Sequence, residues 1–302
     1  MNSPQGAVGR ATLVIDARAQ LGEGPVWDAG QEVLHWVDIV GKALHSWDGV
    51  SARSRRFDEP VCAVSPEPGG GLLVAFAKRL ARVGPSGDSI TEVCPVEPNL
   101  PGNRCNDGRR DPAGRFWIGT MSADGSVSRA GSLYCMDEHN RLERRLENLT
   151  ISNGLGWSPD ARTMYFIDSP TREVCAFDFD GADSSIRNRR AVVSVPEELG
   201  WPDGMDVAPD GTLWVGHWGA GCVCRWCPES GNLLERVTTG CPHTTSCSLT
   251  PDGRLFITTA REGLGEAELA RSPHSGGVFL WSAACRADEY THCGSANGAK
   301  IP

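Results

Sequence analysis

The sequence lacks long apolar runs and long basic runs. No stretch approaches the roughly 18 apolar residues of a membrane-spanning helix, and residues 1–10 lack the apolar core of a signal peptide. Lysine and arginine never form a run longer than a doublet, and the net charge is −9. We therefore expect a cytoplasmic protein with a small-molecule substrate and with no nucleic-acid or membrane partner.

The sequence also lacks a complete zinc motif made of cysteine or histidine. Cys222, Cys224 and Cys227 resemble half of such a site, but no paired CxxC or HxxxH motif follows. Strand alternation would place Cys222 and Cys224 on one face of a strand. Most of the twelve cysteines lie inside strand-like runs, so we expect reduced, buried thiols instead of disulfides.

One pattern occurs six times along the chain. Each copy has a few apolar residues, a turn rich in proline, aspartate or glycine, and a β-rich run with aromatic residues. The copies span residues 25–39, 63–77, 111–121, 154–169, 205–218 and 247–260. Their turns recur every 39 to 50 residues, which is typical of propeller blades. The sequence therefore predicts an all-β fold, a six-bladed β-propeller.

Each blade is predicted to have four strands. A third and a fourth strand-like run follow each of the first five copies, whereas the sixth copy has no convincing fourth run. Residues 11–19 (ATLVIDARA) precede the first copy, so we expect this N-terminal strand to complete the last blade and close the ring. A closed ring makes residues 1–302 one domain, with residues 1–10 flexible, and predicts a monomer because no edge needs a partner.

Equivalent positions on the innermost strands of a propeller converge on the central channel. The residue five or six positions before each turn is polar in most copies, and Glu23, Asn153 and Asp203 supply oxygen donors from blades one, four and five. Carboxylate and amide oxygens suit Ca²⁺, Mg²⁺ or Mn²⁺, and Zn²⁺ also accepts them. The alternative is that Asn153–Gly154 and Asp203–Gly204 are only turn dipeptides.

A second polar group is expected at the same mouth of the channel. Arg104, Asn106 and Asp107 precede an inner strand, and Asp124 lies on the loop that returns from the next strand. Arginine and asparagine can donate hydrogen bonds to sugar hydroxyls or to an oxyanion, and aspartate can accept them. Their alternative role is as solvated surface residues. The loops after the second strands are expected to bring further candidates there: Asp38, Lys78, Asp168, His217 and Arg261. His217 would either line the pocket or support a lining residue from behind.

The sequence resembles the gluconolactonase, regucalcin and luciferin-regenerating enzyme family almost from end to end. The resemblance rests on several long motifs: GEGPVW (22–27), NRCNDGRRDPAGRFWIGTM (103–121), SNGLGWSPD (152–160), FIDS (166–169), NRR (188–190), PDGM (202–205), TTSC (244–247) and AREGL (260–264). It implies a six-bladed propeller with one divalent ion per chain, Ca²⁺ or Zn²⁺ first and Mg²⁺, Mn²⁺ or Fe²⁺ as alternatives.

The resemblance implies a role for each matching residue. Glu23, Asn153 and Asp203 would hold the ion, whereas Arg104 and Asn106 would contact substrate. An acidic substrate contact that is glutamate in regucalcin falls on Asp124. That shorter side chain argues against carrying over the sugar preference of regucalcin.

The implied reaction is metal-dependent hydrolysis of an aldonolactone to its aldonic acid. Asp203 is the candidate general base, with Glu23 or a metal hydroxide as alternatives. Rival functions are hydrolysis of non-sugar lactones, other esters or organophosphates, and a propeller that binds proteins or calcium without catalysis.

Overall fold

The computed structural model of the protein describes residues 7–85, 87–282 and 299–300. Two N-terminal strands, β1 (Ala7–Arg10) and β2 (Thr12–Asp16), precede six antiparallel sheets that form the blades of a ring. The prediction of a six-bladed β-propeller is therefore confirmed. Among the described residues no helix is long and apolar enough to cross a membrane.

The first three blades follow the chain from the channel outwards. Blade one is β3 (Gly22–Asp28), β4 (Val33–Asp38), β5 (Ala43–Trp47) and β6 (Ala52–Arg56). Blade two is β7 (Val61–Pro66), β8 (Leu72–Phe76), β9 (Arg79–Val83) and β10 (Ile90–Pro95). Blade three is β11 (Asn103–Arg110), β12 (Phe116–Ser122), β13 (Gly131–Met136) and β14 (Leu142–Leu149).

The remaining blades repeat this order. Blade four is β15 (Ser152–Trp157), β16 (Thr163–Asp168), β17 (Glu173–Asp180) and β18 (Ser185–Ser194). Blade five is β19 (Trp201–Val207), β20 (Leu213–Trp218), β21 (Cys222–Trp226) and β22 (Leu233–Thr238). Blade six begins with β23 (Thr244–Leu249), β24 (Arg254–Thr259) and β25 (Val278–Ser282), and a short helix α1 (Glu266–Arg271) lies between the last two.

The N-terminal segment closes the ring as predicted. Strand β2 pairs antiparallel with β25 as the fourth strand of blade six, and Ile15 is fully buried there. A short strand β26 (Ala299–Lys300) pairs parallel with the outer edge of β2. Residues 1–6 lie outside the described residues. Strand β1 (Ala7–Arg10) pairs parallel with β22 and adds a fifth strand to the edge of blade five. The repeat pattern does not predict this strand.

The second strand of each blade is buried almost throughout because neighbouring blades cover both of its faces. In β8 and β12 every residue is buried, and large side chains such as Trp36, Trp117 and Phe256 are fully enclosed. The β-branched and aromatic residues of the repeats thus pack between blades. None of the ten cysteines among the described residues forms a disulfide, and Cys222 and Cys224 lie side by side with their sulfurs 3.8 Å apart.

Candidate functional site

A β-bulge interrupts the inner strand of every blade at the same level of the channel. The pairing register shifts after Glu23, Val61, Cys105, Ser152, Pro202 and Thr244. A bulge frees residues from the ladder and turns their side chains in a new direction. In five blades the aligned residue, Cys62, Asn106, Asn153, Asp203 or Thr245, falls inside the bulge, and Glu23 borders it.

The Asn-Gly pair and the Asp-Gly pair lie in strands and are not turns. Asn153–Gly154 lies within β15 and Asp203–Gly204 within β19, and neither glycine has a positive φ. A Cβ atom on Gly154 would lie 2.8 Å from the backbone oxygen of Asp203, so glycine is needed where adjacent inner strands approach each other. The turn-dipeptide alternative is therefore wrong.

A cavity of about 370 Å³ opens at this end of the channel. Its polar wall contains Glu23, Arg104, Asn106, Asn153, Ser169, Asp203 and Glu262. Its apolar wall contains Leu21, Met121, Ile151, Pro170, Trp201, Pro202 and Trp218. The structure thus brings five of the six predicted site residues to one pocket and divides that pocket into a charged side and an apolar side.

Glu23 and Asp203 form a pair of buried acidic groups. Burial raises the pKa of Glu23 well above its ordinary value, and the nearby carboxylates of Asp203 and Asp107 raise it further. Burial and Asp107 likewise raise the pKa of Asp203. Among the described residues only the N–H of Gly24 donates to Glu23, at 3.0 Å, and none donates to the Asp203 side chain. A cation would neutralise this excess of negative charge.

The donor set fits a divalent ion that prefers oxygen. No three His, Cys, Asp or Glu side chains of the described part of the chain form a metal-binding group, so the amide oxygen of Asn153 is needed as the third donor. Two carboxylates and one amide oxygen are hard ligands, which suit Ca²⁺, Mg²⁺ or Mn²⁺ better than a thiophilic metal. Glu23, Asn153 and Asp203 are therefore suited to hold one.

A chain of hydrogen bonds runs along the polar wall of this pocket and connects three blades. Arg104 Nη1 donates to Asn106 Oδ1 at 2.6 Å, and Asn106 Nδ2 donates to Asn153 Oδ1 at 2.8 Å. Asn153 Nδ2 then donates to Ser169 Oγ at 2.8 Å, and Ser169 Oγ donates to the carbonyl oxygen of Pro202 at 2.6 Å. The chain fixes the orientation of the Asn153 amide and connects it to the residue before Asp203.

Asn106 therefore has a structural role in addition to the predicted contact with substrate. Both of its N–H groups are used within the protein, since Nδ2 also donates to the carbonyl oxygen of Ser152 at 3.0 Å. Only its Oδ1 has remaining capacity to meet a substrate. Arg104 donates to Asn106 and to the carbonyl of Cys105 through Nη1 alone. The guanidinium also interacts with the Cys62 thiol, and its remaining N–H groups face the pocket.

Asp124 is not part of the cavity wall. It is exposed, and its Oδ1 accepts hydrogen bonds from the hydroxyls of Ser122 and Ser126 and from the backbone N–H of Ser126. These bonds lower its pKa to about 2. The Asp124 carboxylate therefore stabilises the loop of residues 122–126. Its contact with a substrate stays a prediction.

The expectation that five loop residues reach the pocket is wrong, because none of them lines it. Asp38 accepts backbone N–H groups of Gln20 and Leu21, and Asp168 accepts those of Thr150 and Ile151. Lys78 donates to the carbonyl oxygens of Leu100 and Asn103. His217 is fully buried between the carbonyl of Leu199 and the indole of Trp226, and Arg261 also lies outside the lining.

Nine residues of the pocket were missed from the sequence, and three of them directly follow a predicted one. Ser169, Trp218 and Glu262 line the cavity in place of Asp168, His217 and Arg261. Alternation along the extended strand β20 turns Trp218 to the side opposite His217. Ser169 begins a 3-10 helix and Glu262 lies in the turn after β24, so alternation does not select them. The signal that could have found these two is their place in the motifs FIDS and AREGL.

Trp218 and Glu262 belong to one side of the pocket. The Trp218 ring stacks on His243 with centroids 4.0 Å apart, and His243 Nδ1 lies 2.9 Å from the carbonyl oxygen of Glu262. Burial raises the pKa of Glu262, and the positive charge of Arg104 opposes the shift. No described residue donates a hydrogen bond to the Glu262 carboxylate. It is therefore an acceptor available to a ligand.

Comparison with known proteins gives the family. Residues 21–261 match the model of the SMP-30/Gluconolactonase/LRE-like region. Regucalcin of Gallus gallus is 35% identical over 270 residues, which cover 87% of this chain and 90% of that protein. A luciferin-regenerating enzyme superposes with a TM-score of 0.83 at 30% identity, covering 89% of this chain and 94% of the other.

A second solved structure supports the same assignment. Regucalcin of Agrobacterium tumefaciens, a calcium-binding protein, superposes with a TM-score of 0.86 at 26% identity and covers 91% of this chain and 95% of its own. Residues 21–261, which match the family model, contain the six bulges and every pocket residue except Glu262. The chain belongs to the SMP-30/gluconolactonase/LRE-like family.

Proposed function

We propose that the protein is a metal-dependent lactonase that hydrolyses a sugar lactone, an aldonolactone, to the open-chain acid. The observation that carries the proposal is the pair of buried acidic side chains, Glu23 and Asp203, beside an oriented amide oxygen in the channel pocket. The family description, which names gluconolactonase, supports the reaction class. A divalent ion held by these residues would act as a Lewis acid on the lactone carbonyl.

Asp203 is the proposed general base. Its carboxylate faces the cavity and receives no hydrogen bond from a described residue, so one oxygen is available to an attacking water. It would accept the proton of that water as the new C–O bond forms. It would return the proton to the ring oxygen as the ester C–O bond breaks, which leaves a hydroxyl and a carboxylic acid.

The polar wall of the pocket would orient the sugar. Arg104 presents N–H donors to hydroxyls or to the developing oxyanion, and Asn106 Oδ1 can accept one hydrogen bond. We assign the acidic acceptor of a sugar hydroxyl to Glu262, which lies in the cavity wall, in preference to Asp124, which does not. Trp201 and Trp218 offer flat faces to the C–H side of a sugar ring.

The apolar wall supports a second candidate function. Half of the residues that line the pocket are apolar, among them Met121, Ile151 and both tryptophans. Lactones of non-sugar acids and other esters would bury a hydrocarbon part against this wall. They would use the same carboxylates and Arg104 for the reacting group.

Acid release from a panel of lactones tests both candidates. The panel contains aldonolactones with five- and six-membered rings, unsubstituted aliphatic lactones and aryl esters, each corrected for spontaneous hydrolysis. The enzyme is stripped with a chelator and resupplied with Ca²⁺, Mg²⁺, Mn²⁺, Zn²⁺ or Fe²⁺. We expect hydrolysis of a subset of aldonolactones that is restored by one or more of these ions.

The variant Asp203→Ala is expected to lose ion-dependent turnover and to retain the fold, as judged by its circular dichroism spectrum. Full activity of this variant would overturn the role of Asp203. Hydrolysis confined to aliphatic lactones or aryl esters would favour the second candidate. Failure with every pair of substrate and ion would leave a propeller that binds without catalysis.

A further inference from the structure

Arg109 occupies the central channel on the far side of the candidate metal site. It lies on β11 of blade three and borders a second cavity, of about 290 Å³, that does not contain Glu23, Asn153 or Asp203. Its Nη1 donates to the carbonyl oxygens of Leu155 at 3.3 Å and of Met205 at 2.5 Å. One guanidinium thus connects the inner strands of three blades.

The two carbonyl groups occupy equivalent places in blades four and five. Leu155 is two residues after Asn153, and Met205 is two residues after Asp203. Each is the first residue that returns to regular pairing after its bulge. Arg109 therefore holds the ends of the two bulges that carry candidate ion ligands.

A bulged segment depends on such outside contacts because it lacks ladder hydrogen bonds of its own. The inner strands pair with a neighbour in their own blade on one edge only, and their other edge faces the channel. The carbonyl groups of Leu155 and Met205 accept hydrogen bonds from Arg109 at that open edge. Without this donor, the spacing of the two strands would be set by side-chain packing and by the hydrogen bonds of Ser169 at the other end of the bulges.

Asp206 fixes the guanidinium in place. Arg109 Nη2 lies 2.8 Å from Asp206 Oδ1, and both side chains are mostly buried. Asp206 also accepts the backbone N–H of Val207 at 2.8 Å and that of Leu249, in blade six, at 2.8 Å. The ion pair is therefore held between β11 on one side and β19 and β23 on the other. These contacts fix the orientation of the planar guanidinium.

We propose that Arg109 is a positioning residue that sets the spacing of Asn153 and Asp203, and that it thereby sets the affinity of the site for a divalent ion. The inference rests on the proposed metal site. Groups that orient the ligands of a metal typically change its affinity by about 10- to 100-fold when they are replaced. Lysine would retain the charge but would not bind two carbonyl groups and a carboxylate together.

Two variants and a matched control test the proposal. Arg109→Lys retains the charge. Arg109→Met with Asp206→Leu removes the pair without leaving a buried charge unpaired. Arg110→Met removes the neighbouring arginine, which binds Glu67 and Ser65 of blade two and reaches neither bulge. The Kd for Ca²⁺ is measured by titration calorimetry, and the Tm is measured in excess chelator.

We expect Arg109→Lys to weaken Ca²⁺ binding by about 10-fold or more. Its Tm in chelator should fall, because two carbonyl groups lose a donor, but should stay above the temperature of the titration. Arg110→Met should leave the Kd unchanged. An unchanged Kd in Arg109→Lys, or equal losses in Arg109→Lys and Arg110→Met, would overturn the proposal. If the double variant does not fold, Arg109→Lys alone decides. Absence of Ca²⁺ binding to the wild-type protein would overturn the metal site itself, whereas normal binding without lactone hydrolysis would overturn only the proposed function.

Discussion

The hydroxyl of Ser169 donates a hydrogen bond to the carbonyl oxygen of Pro202 at 2.6 Å, so the end of the second strand of blade four directly contacts the residue before Asp203. The same hydroxyl accepts a hydrogen bond from the amide of Asn153. One small side chain thus couples two of the three candidate ion ligands.

The variant Ser169→Ala is expected to weaken divalent-ion binding by about 10-fold, because the Asn153 amide loses the partner that fixes its orientation. Calorimetric titration with Ca²⁺ measures the change. Ser152→Ala is the matched control, since the Ser152 hydroxyl is buried nearby and has no hydrogen-bond partner among the described residues. Equal affinities of Ser169→Ala and the wild-type protein would contradict the coupling.

Replacement of Glu262 is expected to affect only substrates that carry hydroxyl groups. For an aldonolactone, Glu262→Gln should raise KM by about 10-fold because a charged acceptor is lost. For an unsubstituted lactone of the same ring size, KM should not change. Steady-state kinetics with the two substrates measures the difference.

Asp124→Asn provides the competing test of the acidic contact. If this variant raises KM for the hydroxylated lactone and Glu262→Gln does not, the assignment implied by the family resemblance is correct and the assignment from the cavity wall is wrong. The unsubstituted lactone serves as the internal control for both variants.

Gly154→Ala is expected to destabilise the protein by roughly 1 to 3 kcal/mol, because its new methyl group would lie 2.8 Å from the Asp203 carbonyl oxygen and the Met205 side chain. The adjacent strand would have to move and would carry Asp203 with it. Denaturant unfolding with and without Ca²⁺ measures both effects. Gly102→Ala is the control, since a Cβ atom there would meet no atom of the described part of the chain within 4 Å. A Gly154→Ala protein as stable as the wild type would show that the strands can separate freely.

Two buried histidines should each remove stability from the fold as the pH drops from about 6.5 to about 4, whereas the buried carboxyl groups of Glu23 and Asp203, whose pKa values are raised, act in the opposite direction. Burial lowers the pKa of His45 to about 4, although the nearby Asp38 opposes the shift. The unfolded chain therefore binds a proton in this range that the folded protein does not, and stability present above pH 6.5 is lost towards pH 4. His45 alone accounts for at most about 3 kcal/mol. His217, whose pKa burial also lowers to about 4, acts in the same direction.

The variant His45→Phe tests this pH dependence. It retains a planar ring against Trp36, on which His45 stacks with centroids 4.9 Å apart, and removes one titrating group. The unfolding free energy at pH 4.5, relative to its value at pH 7, should be higher in the variant than in the wild type. His139→Gln, at an exposed histidine, should leave this difference as it is in the wild type. A pH profile unaltered by His45→Phe would show that other groups cause the loss.

The repeat pattern predicts the ring, its closure and the level of the site because all three follow from the sequence spacing of the blades. Aligning the copies brings Asn106, Asn153 and Asp203 to the bulges, where the structure has them. A bulge adds residues to one strand without a marked change in composition. The alignment therefore predicts which residues face the channel, but it does not predict the bulges that turn them there.

The loop residues of the pocket could not be predicted in the same way. Asp168 and Ser169 differ by one position, and the direction of each side chain depends on which backbone N–H groups need an acceptor. The Asp168 carboxylate accepts hydrogen bonds from such N–H groups just before β15. The Asp124 carboxylate accepts hydrogen bonds within its own loop, so neither is directed into the pocket. Arg109 contacts carbonyl groups that are 46 and 96 residues away, and only the folded ring brings them together.

The union of β2 and β25 in one blade has a consequence for how the chain is made. Strand β2 precedes blade one in the chain, but its antiparallel partner belongs to blade six. Blades one to five can form from local hairpins, whereas the ring cannot close until blade six has been synthesised. Ring closure therefore depends on a contact of very long sequence separation, between Thr12–Asp16 and Val278–Ser282.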